Sequence, residues 1–132
     1  MIHPQYLIGM HYRLGADPFR HGKADCYSLA ATVVNYYGFD ATEPKREWYK
    51  RLRRGDTSVF LEELQLWGTR TTSPRIGVVA LCKADNGYGM AAWWNDGWLN
   101  FAGSEVVWSP KDVPPVVACF FPQKQNSAMS LV

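Results

Sequence analysis

Histidine is scarce in this chain and confined to its beginning: His3, His11 and His21 are the whole supply. Chemistry placed further along must find its proton acceptor elsewhere. Cysteine is also sparse, at positions 26, 82 and 119. An odd count without paired spacing argues against a disulfide framework and fits a reducing compartment, leaving room for one bridge at most. Neither CxxC nor HxxxH spacing occurs among these six residues, so no metal site is expected. No apolar run approaches the roughly 18 residues of a membrane span. Met1-Ile2-His3-Pro4-Gln5 lacks a basic region followed by an apolar one, so no signal peptide is expected. Fourteen Lys and Arg against twelve Asp and Glu leave a net charge of +2, which does not by itself argue for a nucleic-acid partner. There is no internal repeat and no low-complexity segment.

Of the 132 residues, 47% are apolar and 14% aromatic. That suits one folded domain, expected over 1–122, with a polar tail over 123–132. Six Trp and seven Tyr exceed what a core of this size needs. Some of them are expected on a surface that meets a ligand or another protein.

The most informative stretch is Gly22-Lys23-Ala24-Asp25-Cys26-Tyr27-Ser28-Leu29-Ala30-Ala31. Asp25 is a good N-cap, because its carboxylate accepts the unpaired N–H groups of a first helical turn. Cys26, Leu29, Ala30, Val33, Val34 and Tyr37 follow at i, i+3, i+4, i+7, i+8 and i+11, one apolar stripe, and Gly38 stops the helix. Cys26 thus falls in the first turn of a buried helix, where the helix dipole favours a thiolate. The plainer alternative is a small hydrophobe at the edge of a core.

The chain before this helix reads as irregular after a short start around Tyr6–Met10. A second helix is expected over about 44–53, with Thr42 as cap and Pro44 in the first turn. Lys45, Arg46, Lys50, Arg51, Arg53 and Arg54 give this region six of the fourteen positive charges, while Trp48 and Leu52 mark an inward face. A solvated helix face is the simplest account, ahead of a protein-docking face and of nucleic-acid contact. A third helix is expected over about 58–67 on Phe60, Leu64 and Trp67, closed by Gly68.

After a turn-like link at Thr69–Pro74 the pattern becomes that of strands. They are expected at 76–82, 90–94, 98–101, 106–108 and 116–121. Asn86-Gly87 and Asp96-Gly97 serve as turns, and Pro114-Pro115 as a break. Alternation puts Trp93 and Trp94 on opposite faces, one in the core and the other near Cys26 or at an interface. The layout is α+β: three N-terminal helices packed on a C-terminal antiparallel sheet.

Tyr12-Arg13-Leu14-Gly15, a short loop, and Asp25-Cys26-Tyr27-Ser28-Leu29 opening a helix together resemble the NlpC-type cell-wall peptidases, compact papain-like cysteine hydrolases. Their signature is Tyr-Arg-x-Gly, a loop, then Asp-Cys-Ser-Gly-Leu. The likeness spans roughly residues 9–121 and includes the order of elements. It implies Cys26 as nucleophile, Tyr12 as a hydrogen-bonding neighbour, a base histidine at the start of the second strand, and a polar orienting residue on the third. Asn100 matches the orienter, but Met90 stands where the family has its histidine. A thioether cannot take a thiol proton at neutral pH. Loss of the base in such a unit costs on the order of 10³–10⁶ in rate.

The resemblance therefore implies a pseudoenzyme without cofactor. Its expected setting is a bacteriophage tail or virion, among other tail or hub proteins, with peptidoglycan as a further partner. The alternative is an active cysteine peptidase or amidase on peptidoglycan peptides, with Cys26 as nucleophile and an unrecognised base.

Overall fold

The structure, a computed structural model, describes residues 2–41 and 46–122. The tail expected over 123–132, and Thr42, Pro44 and Lys45 of the expected second helix, lie outside the described residues.

The chain begins with a 3-10 turn, Pro4–Leu7, which drives Leu7 into the core. Strand β1 (His11–Tyr12), helix α1 (Pro18–His21) and strand β2 (Lys23–Ala24) follow. Then come α2 (Cys26–Tyr36), α3 (Arg46–Arg53) and α4 (Val59–Trp67). The remaining strands are β3 (Gly68–Thr71), β4 (Val79–Ala84), β5 (Gly87–Trp94), β6 (Gly97–Ala102), β7 (Glu105–Pro110) and β8 (Val116–Pro122). All eight strands form one sheet in the order β2-β1-β7-β6-β5-β4-β8-β3.

This corrects the expected arrangement of three N-terminal helices on a C-terminal antiparallel sheet. Strands dominate, four α-helices are present among the described residues, and three further short strands precede the expected sheet, β1 and β2 before α2 and β3 after α4. Two of these, β1 and β2, pair in parallel, so the sheet is mixed. The reason they escaped notice is physical. These strands span 2, 2 and 4 residues and are largely exposed. Main-chain hydrogen bonds at the sheet margin hold them, without the apolar alternation that marks a strand with a buried face. Helix α1 is likewise made by a local signal, Asp17 capping the N–H groups of Phe19 and Arg20 ahead of Pro18.

Alternation along the central strands divides the core in two. Val79, Leu81, Met90, Ala92, Leu99, Val106 and Phe120 pack with Leu29, Ala30, Val33 and Val34 of α2 and with Phe60, Leu64 and Trp67 of α4. Ala80, Cys82, Ala91, Trp93, Trp98 and Cys119 form a smaller cluster on the other face. Trp93 and Trp94 therefore do part company, Trp93 meeting Trp98 edge-on at 5.0 Å. Trp94 lies beside the first cluster and meets His3 at 6.1 Å, so it does not border Cys26.

The β5–β6 hairpin turns on Asn95 and Asp96, both left-handed at φ 54° and 55°, one residue earlier than the Asp96-Gly97 signal suggested. Gly97 is needed for a different reason. A Cβ there would stand 2.5 Å from the Trp108 ring and 2.6 Å from the Ser109 carbonyl oxygen. Gly97→Ala is expected to cost about 2–3 kcal/mol, since the backbone of β7 must give way. Urea unfolding checks this, and a change below about 0.5 kcal/mol would contradict it.

Candidate functional site

The site is built around Asp25. Its Oδ1 accepts the Ser28 N–H at 2.7 Å, and the Ser28 hydroxyl accepts the Asp25 N–H at 2.9 Å, a reciprocal cap on α2. Its Oδ2 accepts the Gly15 N–H at 2.8 Å. One buried carboxylate thus ties the loop after β1 to the start of α2. Tyr12, on β1, is held by its N–H to the Ser104 carbonyl and by edge contact with Phe101 at 5.3 Å.

Cys26 is the first residue of α2, partly buried, and its sulfur faces the backbone of β5. A Cβ on Gly89 would lie 3.7 Å from Sγ. Burial pushes the Cys26 thiol up to about 11; the N–H groups of Met90 and of Cys26 itself pull the other way, and Asp25 adds to the rise. At pH 7 the thiolate fraction is about 10⁻⁴. The thiolate expected from helix position alone is not favoured, because the capping carboxylate answers the helix terminus and burial penalises a second charge.

Met90 is fully packed, 2% exposed, in the cluster shared with α2. Its register opposite Leu81 puts it on the helix side of the sheet, the side of Cys26. Pairing of β5 with β6 runs only from Ala92–Leu99 to Trp94–Gly97. Beyond it the strands part, and a groove of about 480 Å³ opens there, lined by Tyr12, Cys26, Met90, Asn100 and Phe101 among others. All four residues singled out from the sequence thus meet in one groove. Asn100, however, alternates with Leu99 and leaves β6 on the Trp98 side; the register carries Phe101 to the place across from Met90. The Asn100 Oδ1 is buried without a hydrogen-bond partner.

No histidine lines the groove. His3 accepts the Gln5 N–H, His11 approaches Glu105 at 3.7 Å, and His21 accepts the Asp17 N–H. Burial and the neighbouring Cys26 and Asp25 raise the Tyr12 phenol to about 12, so it is a hydrogen-bond donor at neutral pH. Sequence reasoning missed Lys83, Asp85 and Tyr88, which rim the groove from the β4–β5 hairpin. The only signal for them was their position at a hairpin end. Among the described residues no three His, Cys, Asp or Glu side chains gather as a metal donor set. Among them, too, no helix is long and apolar enough to cross a membrane.

Elsewhere, the basic helix buries Trp48 against Tyr27 at 5.9 Å. Arg51 is engaged by Asp56 at 2.8 Å and by Glu62, whereas Arg46, Lys50 and Arg53 are exposed. Comparison of the sequence with models of protein families and with curated proteins gives no match.

Proposed function

We propose that the chain is a virion component, a structural or assembly piece of a phage tail, carrying the degenerate active site of an NlpC-type cysteine peptidase. The observation that carries the loss of catalysis is Met90 packed beside Cys26, with the thiol pushed up to about 11 and no histidine in the groove. A hydrolase of this kind needs a thiolate and an acid for the leaving amine. The groove has no histidine to supply either. The tail setting rests on the sequence resemblance, and the exposed Tyr6, Phe19 and Leu66 supply apolar surface for neighbours in an assembly.

Two measurements test this. Incubation with γ-D-glutamyl cell-wall peptides is expected to release nothing above a blank, and peptide release that Cys26→Ser abolishes would establish the active peptidase instead. Mass spectrometry of purified virus particles is expected to find the chain at fixed copy number. Its absence from them would remove the assembly role.

A further inference from the structure

A second cleft, which shares no lining residue with the Cys26 groove, lies between the α1 region and α2, with a volume of about 500 Å³. Tyr27 and Ala31 give it an apolar floor, and Arg20, His21, Asn35 and Tyr49 stand around it. What these polar groups have left to offer is mostly donors. His21 Nδ1 already accepts the Asp17 N–H at 2.9 Å, so Nε2 carries the proton in the neutral ring. Asn35 Oδ1 accepts the Ala41 N–H at 3.2 Å, which leaves its NH₂. Tyr49 keeps its phenolic proton, being raised to about 12 by burial and by Asp25 and Tyr12. Arg20 enters neither of the ion pairs formed by arginine among the described residues, both of which belong to Arg51.

Among the described residues that line the cleft, two acceptors are already engaged. Asp17 Oδ1 takes two N–H groups, and the Thr32 hydroxyl gives its proton to the Ser28 carbonyl. The second Asp17 oxygen and the Thr32 lone pairs stay open beside the donors of Arg20, His21, Asn35 and Tyr49.

We propose that this cleft binds a small oxyanion, a carboxylate or phosphate, on an apolar body that rests against Tyr27 and Ala31. Arg20 supplies the charge, and the His21, Asn35 and Tyr49 donors complete the recognition. A charge-assisted hydrogen bond is strong enough to separate an anion from its neutral isostere by about tenfold or more. This site does not rest on the tail reading.

The test is an amide NMR titration of the full chain with benzoate, phenyl phosphate and the neutral analogue benzamide. Benzoate or phenyl phosphate is expected to give saturable shifts at Ala16, Arg20, His21 and Thr32, about tenfold tighter than benzamide, and their order tells carboxylate from phosphate. Arg20→Gln is expected to weaken the anion about tenfold, while Arg75→Gln, in a separate groove beside Phe121, leaves it unchanged. Equal binding of benzamide, equal loss in both variants, or no saturable shift by about 50 mM overturns the proposal.

Discussion

At neutral pH Cys26 is expected to react with iodoacetamide about a hundredfold more slowly than an unperturbed cysteine, with a rate that climbs about tenfold per pH unit until roughly pH 11. The size follows from the thiol's displacement from 9.0 to about 11, because only the thiolate attacks. Cys82, raised by burial to about 12, is expected to be slower still. Peptide mass spectrometry separates the three cysteines, and a Cys26 plateau near pH 7 would show an activated thiolate and revive the peptidase. Met90→His places an imidazole on the helix side of β5 beside the sulfur. Its expected effect is a rate at pH 7 raised about tenfold or more, with retention of fold checked by circular dichroism. No change in that variant would mean that position 90 does not reach the thiol.

The same displacement governs stability. The folded-state pKa lies above the unfolded one, so burial of the neutral thiol contributes fully below about pH 9. That contribution disappears as pH rises through 11. For Cys26 alone it is of the order of 2–3 kcal/mol, and Cys82 titrates in the same direction. Alkaline urea unfolding is therefore expected to lose stability steeply between pH 9 and about 11, and a Cys26→Ala variant to lose less.

What the sequence disclosed follows from how each element is held. Helix α2 was legible because its stripe, its Asp25 cap and its Gly38 stop all point the same way, and α4 and the central strands carry comparable apolar patterns. Strand β3 was not, because Gly68, Thr69, Arg70 and Thr71 pair with β8 without an apolar alternation to mark them, and at Gly68 a Cβ would stand 2.5 Å from the Phe121 carbonyl oxygen. The four groove residues were each visible, but their relative facing was not. It depends on the β5–β6 register, which one residue of slip inverts. For the Cys26 thiol the sequence left two readings open, because a helix position reports the dipole and says nothing of burial or of the capping carboxylate.

Asp25 joins these threads, and removing it has the largest expected effect on the site. Its side chain is 3% exposed and spends one oxygen on the α2 cap and the other on Gly15. Asp25→Ala leaves both N–H groups without their acceptor. A lost cap costs about 1–2 kcal/mol and a lost bond to a charged acceptor about 1.5–3. The two share one side chain and do not add fully, so about 3 kcal/mol is expected in urea unfolding. The thiol should move the opposite way. Asp25 raises Cys26, and also Tyr12 and Tyr49, so loss of its charge lowers all three. Asp25→Asn separates the effects: its carbonyl oxygen keeps one of the two hydrogen bonds, limiting the loss to about 1–2 kcal/mol, while the charge is gone. Both variants should therefore shift Cys26 alkylation and the phenol titrations to lower pH, with only the alanine variant strongly destabilised. A Cys26 that becomes harder to ionise in Asp25→Asn would mean the carboxylate acts on the sulfur through helix geometry and not through its charge.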